Sequence, residues 1–121
     1  MSGRCSRDAA YISHMLDCIA AVESFIKDMD EEGFKSSRMK QSAVVREVEV
    51  IGEAAKNISQ SIKDTHSKIP WKDIIRTRDK MIHHYFGVDL KIIWNIITID
   101  LPSLKKEIEM IRDELEAAKA D

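Results

Sequence analysis

Residues that interrupt helices are scarce in this sequence. Its 121 residues include only four glycines and two prolines, the two residue types that are least favourable in a helix interior. Ala, Glu, Lys, Ile and Met, by contrast, are abundant. A chain of this length with 44% hydrophobic residues can bury one core. We therefore expect an all-α fold that forms a single helical domain over residues 1–121.

Long apolar runs are also missing. No stretch approaches the roughly 18 apolar residues of a membrane-spanning helix, and the first residues lack an unbroken apolar segment followed by a small-residue cleavage site. These absences predict a soluble, cytoplasmic protein that does not contact membranes.

Cysteine is nearly absent, since the chain has only Cys5 and Cys18. If both lie on one helix, their thirteen-residue separation places them about 20 Å apart along its axis, beyond the ~7 Å Cα limit of a disulfide. Zinc-type CxxC spacing is missing too. We expect two reduced thiols.

Apolar spacing predicts the first helices. A stripe with intervals of three and four residues indicates a helix over 8–29, which the acidic residues that follow and Gly33 should end. Ser36 or Ser37 can cap a second helix, predicted over 38–62. Its apolar seam is typical of a helix that packs against near-antiparallel neighbours.

Proline, glycine and aspartate mark the later helices. Pro70 lies near the start of a third helix, and Gly87 suits its C-terminal end. Asp89 should cap a fourth helix, in which Pro102 causes a kink or begins a fifth helix. The architecture predicted is a four- to five-helix up-and-down bundle.

Small residues cluster in the middle of the second predicted helix. Gly52, Ala54 and Ala55 would let another backbone approach closely. Glu53 lies inside this cluster, either as an exposed carboxylate or as a residue that lines a site.

Basic residues concentrate between Lys68 and Lys91. This stretch holds six Lys or Arg and three Asp, a local balance of +3 within a chain of formal charge −2. A modest basic patch is compatible with a phosphate-bearing ligand, although a solvated helix face explains it as well.

The sequence RTRDKMIHHYFGVD at 76–89 contains the residues best suited to chemistry. On an ideal helix Arg78 and His83 differ by about 140° and ~7.5 Å of rise. They can meet one ligand only if the last helical turn loosens or if the helix end borders a cleft. Tyr85, seven residues after Arg78, returns to the arginine's side.

These residue types suit RNA cleavage without a metal. The reaction needs a base for the 2′-OH proton, a cation for the phosphoryl oxygens and an acid for the leaving 5′-oxygen. We predict His83 as the base and Arg78 as the phosphate ligand. One histidine does not supply both base and acid, and a symmetric homodimer would contribute a second His83.

The motif resembles the signature of the HEPN superfamily, which is an Arg with a polar neighbour followed after four to six residues by His. It is closer still to the HepT branch, in which Arg, four residues, His, any residue and Tyr correspond to Arg78, His83, His84 and Tyr85. The polar neighbour is Asp79, where many relatives have Asn. The similarity extends to IGEAAKNIS at 51–59, IPW at 69–71, YFGVD at 85–89 and IWNIITIDLPSL at 93–104.

The resemblance implies an α-helical, homodimeric ribonuclease toxin that cuts RNA. It implies a minimal nucleotidyltransferase (MNT) antitoxin as partner, in a complex that can be larger than two chains. That antitoxin silences such toxins by attaching AMP to the motif tyrosine, here Tyr85. Asp79 would pair with Arg78 or orient His83. No cofactor is implied.

The same residues allow two other interpretations. In the first, Arg78, His83 and Tyr85 bind a nucleotide or a nucleotidyltransferase without cutting RNA. In the second, the histidines at 14, 66, 83 and 84 bind a metal, but their spacing matches no ligand pattern such as HExxH. We therefore predict no metal site.

Overall fold

The computed structural model describes the backbone of residues 3–83 and 89–120 and the side chains of 7–81 and 89–119. It confirms the all-α prediction, because the described residues contain helices and turns but no strand. Within these ranges, no helix is both long enough and apolar enough to cross a membrane. The helices are α1 (Gly3–Phe25), α2 (Glu31–Lys35), α3 (Arg38–Asn57), α4 (Gln60–Thr65), α5 (Trp71–His83), α6 (Leu90–Asn95) and α7 (Leu101–Ala120), with a π-helical turn at Ile96–Asp100 between the last two.

Helix α3 is the centre of the bundle. It packs against α1 and against α5, while α7 packs against α1. Helices α1 and α3 are antiparallel, because Asp8 near the start of α1 accepts hydrogen bonds from Ser59 beyond the end of α3. At the opposite end, the Lys40 Nζ lies 5.8 Å from the ring centroid of Phe25. This pair has the up-and-down arrangement that the apolar seam of α3 predicts.

The end of the first helix differs from the prediction. Helix α1 ends at Phe25 and a turn follows, in which Asp28 has a φ of 61°. Aspartate is one of the few non-glycine residues that adopts this left-handed conformation at modest cost. Gly33 does not end the helix; it lies inside α2 and donates its N–H to the capping carboxylate of Asp30 at 2.8 Å.

The predicted helix over 38–62 is interrupted. Helix α3 ends at Asn57, and Ser59 caps the separate helix α4. The Ser59 N–H donates to the Asp8 Oδ1 at 2.9 Å, and its hydroxyl donates to the Asp8 Oδ2 at 2.7 Å. Asp8 is buried, and a buried carboxylate needs such partners. The bonds to Asp8 replace the continuation of α3.

The fourth and fifth predicted helices form one continuous helical run from 90 to 120. Pro102 is the second residue of α7, so the predicted fifth helix begins next to it and follows the π-helical turn without a break. The π-helical turn lies just before it, with the Leu101 N–H bonded to the Ile96 carbonyl. Proline has no N–H for the regular helical ladder, and a local shift to wider bonding is one way for a helix to continue past such a position.

Other predicted boundaries are confirmed. Ser37 caps α3, where its hydroxyl accepts from the Lys40 N–H at 3.2 Å. Asp89 caps α6 and accepts from the Lys91 N–H at 2.8 Å. Helix α5 begins at Trp71, directly after Pro70. Gly87 lies outside the described residues.

Candidate functional site

Arg78 lies on α5 where this helix passes close to Gly52 of α3. A Cβ atom added to Gly52 would lie 2.3 Å from the Arg78 Cβ and 3.2 Å from the Ile74 carbonyl oxygen. No side chain larger than hydrogen fits there without moving one of the helices. The predicted close approach at this small-residue cluster is confirmed, and the helix that approaches is the one that carries Arg78.

Two carboxylates hold the guanidinium of Arg78. Its Nη2 lies 3.2 Å from the Oε2 of Glu53, and its Nη1 donates to the Oδ1 of Asp79 at 2.9 Å. Because Glu53 directly follows Gly52, the residue that allows the close approach is adjacent to the residue that pairs with the arginine. The sequence left the position of Glu53 open; the structure places it in contact with Arg78.

These ion pairs leave Arg78 available to a ligand. Its side chain is 29% exposed, and those of Glu53 and Asp79 are 51% and 50% exposed. Ion pairs between side chains as exposed as these contribute about 0–1 kcal/mol to stability. A guanidinium has five N–H donors, so an anion can bind the remaining ones or displace a carboxylate at small cost.

The remaining motif residues lie at the end of α5 or beyond the described part. Helix α5 remains helical through His83, its last residue, so the helix shows no loosened turn between Arg78 and His83. The turn before Gly87, whose loosening is one of the two ways in which these residues could meet one ligand, lies outside the described residues, so both ways stay open. The described part of the chain does not include the side chain of His83 or any part of His84 and Tyr85.

The basic stretch at 68–91 is less positive than its sequence suggests. Arg78 pairs with Glu53, and Lys91 pairs with Glu31 at 2.9 Å. Both glutamates come from outside the stretch. Arg76 pairs with Asp73 at 3.6 Å within it. Three of the six cations in this stretch are therefore paired with carboxylates.

A cavity of about 560 Å³ opens beside Arg78. It runs along the solvent side of the α1–α3 pair, and Arg78 reaches it from α5. The α1 residues that line it, Tyr11, His14 and Cys18, are three and four positions apart, as expected for residues on one helix face. The lining consists of Tyr11, His14, Cys18, Arg46, Glu47, Glu49, Val50, Glu53, Ala54, Asn57 and Arg78.

The sequence does not associate Tyr11, His14 or Arg46 with Arg78. The residue spacing places Tyr11, His14 and Cys18 on one face of a helix. It does not indicate which other residues that face meets in the folded protein. The thiol of Cys18 is an unreactive part of the lining, because burial and the neighbouring Glu47 raise its pKa to about 12. Cys5 lies thirteen residues away on the same helix α1, which rules out a disulfide between them within one chain.

The two histidines whose side chains the structure describes, His14 and His66, have different surroundings. His14 lines the cavity beside Arg78, whereas the His66 Nε2 lies 2.7 Å from the Glu114 Oε2. Among the described side chains, no three His, Cys, Asp or Glu residues converge to hold a metal ion.

Comparisons with known proteins place the chain in a family. Residues 15–111 match the family described as Ribonuclease HepT-like. A protein of Thermococcus cleftensis named Probable ribonuclease HepT is 41% identical over 102 residues, which cover 84% of this chain and 93% of that protein. A candidate RNase of Caldanaerobacter subterraneus subsp. tengcongensis is also 41% identical over 102 residues, with coverage of 84% and 90%.

A longer relative shows the same similarity over part of its length. It comes from Methanocaldococcus jannaschii, and its name joins a gamma-glutamylcyclotransferase with a candidate RNase. The identity is 41% over 109 residues, which cover 90% of this chain but 49% of that protein. No solved structure matches the chain significantly. The family match over most of the chain, together with relatives of similar length at 41% identity, shows that this chain belongs to the HepT-like ribonuclease family.

Proposed function

We propose that this chain is the toxin of a HepT/MNT-type toxin–antitoxin system and acts as a metal-independent endoribonuclease. The observation that carries the proposal is the placement of Arg78. It lies at the edge of a cavity, is fixed through its backbone by the approach of α5 to Gly52, and has its guanidinium held by Glu53 and Asp79. Relatives named as ribonucleases support RNA as the substrate class.

Arg78 acts as the phosphate ligand in this proposal. A guanidinium offers paired N–H donors that match two phosphate oxygens, and it remains charged at any physiological pH. Glu53 and Asp79 restrict its rotamers before RNA arrives, so less side-chain entropy is lost on binding. The charge that builds on the phosphoryl oxygens during cleavage is then met by a cation that is already oriented.

His83 acts as the base. It removes the 2′-OH proton, the 2′-oxygen attacks the neighbouring phosphorus, and the bond from phosphorus to the 5′-oxygen breaks to leave a 2′,3′-cyclic phosphate. The 5′-oxygen leaves as a hydroxyl after taking a proton from an acid, which the second His83 of a homodimer would supply. Only RNA has the hydroxyl that this reaction requires. Histidine changes its protonation near neutral pH, as a base for this step should. Arginine and histidine together supply the charge and the proton transfer, so the proposed chemistry needs no metal ion.

Regulation by AMP attached to Tyr85 completes the proposal. A nucleotidyltransferase antitoxin would add AMP to the phenolic oxygen, which introduces a phosphodiester charge and the bulk of a nucleotide near Arg78. That charge would compete with the RNA phosphate for the same guanidinium.

The second candidate function is a non-catalytic module that binds a nucleotide or a nucleotidyltransferase. One observation favours it, namely that two carboxylates already occupy Arg78 and reduce the positive potential that would attract RNA. Their exposure limits this effect, because pairs in solvent are worth only about 0–1 kcal/mol. We therefore favour the ribonuclease.

We expect the isolated chain to form a homodimer. Ile92 and Ile99 are 55% and 63% exposed and lie seven residues apart on the helical run from 90 to 120. An apolar cavity of about 370 Å³ lies between α3, α5 and this run, with Ile51, Ile74 and Leu104 in its lining. Light scattering at micromolar concentration should give the mass of two chains, and a stable monomer would contradict the expectation.

Substitution of the proposed catalytic residues should abolish cleavage without unfolding the protein. Arg78→Ala removes the phosphate ligand and His83→Ala removes the base, so each variant should lose RNA cleavage and growth arrest on expression. Arg78 is partly exposed, so its replacement should leave the circular dichroism spectrum and the melting temperature almost unchanged. Cleavage of a labelled RNA oligonucleotide measures the effect.

Two matched variants control for loss of charge and of imidazole. Arg76→Ala removes an arginine two residues earlier on α5, where the side chain is 69% exposed and pairs with Asp73. His84→Ala removes the neighbouring imidazole. Both should keep most of the activity. An inactive His84 variant beside a fully active His83 variant would show that the base is misassigned.

Tyr85 should carry the modification. When the chain is co-expressed with its nucleotidyltransferase in the presence of ATP, intact-mass measurement should show a mass increase equal to AMP. The increase should be absent in Tyr85→Phe and present in Tyr11→Phe, which removes the other tyrosine hydroxyl of the chain. Full ribonuclease activity of the modified protein, or an adduct that persists in Tyr85→Phe, would refute this mechanism.

A further inference from the structure

We propose that the groove between α4 and α5 binds an RNA phosphate that flanks the one at Arg78, through the ammonium groups of Lys63 and Lys72. The inference rests on the proposed ribonuclease function and adds to it a second contact with the same strand. The groove has a volume of about 410 Å³, which is within the range of ligand-binding pockets. Arg78 does not line it, so the groove is separate from the cavity beside that arginine.

Lys63 is a partly buried cation without a carboxylate partner. Its Nζ donates to the carbonyl oxygen of Lys56 at 3.4 Å and lies 6.0 Å from the ring centroid of Trp71. Burial lowers the pKa of this ammonium, and the charge of Asp8 opposes the change only in part. Among the side chains that the structure describes, no carboxylate lies at ion-pair distance from Lys63. An anion in the groove would therefore compensate for the water that the ammonium has lost.

Lys72 adds an exposed cation to the same groove. It also forms no ion pair with a carboxylate of the described side chains. The acidic residue in the lining is Asp73, and its carboxylate lies 3.6 Å from the Nη1 of Arg76, which does not line the groove. The lining therefore has two cations and one anion, and the anion already has a partner outside the groove.

Helix α5 connects this groove with the guanidinium of Arg78. Lys72, Ile75 and Asp79 are three and four positions apart, so they lie on one face of α5. Lys72 and Ile75 line the groove, and Asp79 accepts a hydrogen bond from the Arg78 Nη1 at 2.9 Å. The guanidinium therefore reaches the face of α5 that carries Lys72. The seven residues from Lys72 to Asp79 rise by about 10 Å, which is about three nucleotides of a stacked strand with one phosphate per ~3.4 Å.

The charges and the walls of the groove favour an RNA strand as its occupant. The cavity beside Arg78 has two arginines and three glutamates in its lining, so it offers a polyanion little net attraction. The groove supplies positive charge on the adjacent surface. Its apolar wall, which includes Trp71 and Ile75, can pack against the sugar or base next to the bound phosphate. Such a phosphate contact positions a strand without reading its sequence.

The test is the salt dependence of binding to an RNA that cannot be cut. A fluorescent single strand of about ten nucleotides carries 2′-O-methyl groups, which remove the attacking hydroxyl, and anisotropy gives its Kd at several NaCl concentrations. Each cation–phosphate contact with a single strand contributes about 0.7 to the slope of log K against log salt. Lys63→Gln and Lys72→Gln should each reduce the slope by that amount and weaken binding about tenfold at low salt, equally for unrelated sequences.

Lys106→Gln is the matched control. Lys106 is an exposed lysine of α7 that lines neither this groove nor the two cavities described above. Its replacement removes the same charge and should leave both the affinity and the slope unchanged. On natural RNA, the two groove variants should raise KM about tenfold with kcat near that of wild type, because they contact no reacting atom. Circular dichroism should show that all three variants are folded.

Three results would overturn the proposal. They are wild-type affinity and slope in both groove variants, an equal loss in Lys106→Gln, which would assign the effect to overall charge, and a wild-type protein that does not bind the oligonucleotide at low salt. Failure of the ribonuclease function is distinguishable, because the oligonucleotide is not cut. A wild-type protein that binds it through Lys63 and Lys72 but cleaves no natural RNA would keep the groove and lose the proposed activity.

Discussion

The approach of α5 to α3 at Gly52 is the constraint on which the rest of the site depends. A methyl group at this position would overlap the Arg78 Cβ at 2.3 Å, so the two helices can be this close only because residue 52 has no side chain. The contact fixes the backbone of Arg78, and the next residue along α3, Glu53, then meets its guanidinium. Packing and electrostatics thus act on one arginine from adjacent positions of the same helix.

The two carboxylates that pair with Arg78 have opposing effects on phosphate binding. Glu53 and Asp79 orient Arg78 but also reduce its attraction for phosphate, and their roughly half-exposed side chains keep both effects small. The cavity beside Arg78 combines two arginines with three glutamates, so strong long-range attraction of RNA is not expected from it. In the proposed ribonuclease, specific placement of a few groups would provide the catalysis, as in other sites that act through preorganised charge.

The sequence predicted those features that depend on neighbouring residues. The caps Ser37 and Asp89 act within three residues, and the small-residue cluster around Gly52 is visible as a local pattern. The end of α3 could not be predicted, because Ser59 bonds Asp8 from 51 residues away. The same limit applies to the pairing of Glu53 with Arg78 and to the presence of His14 in the cavity, which depend on how three helices pack.

The most direct test of this account is the thermal stability and ribonuclease activity of Gly52→Ala, with Gly33→Ala as a control at another helical glycine. In an unobstructed helix, alanine in place of glycine adds about 0.5–1 kcal/mol of stability. At Gly33 a Cβ would meet only side-chain atoms of Asp30 and Met29, at 3.2 and 3.3 Å, so that variant should remain folded and active. Gly52→Ala should instead melt at a lower temperature and lose RNA cleavage, because α5 must move away and carry Arg78 with it. A Gly52→Ala protein that is more stable than wild type and cuts RNA at the normal rate would contradict the account.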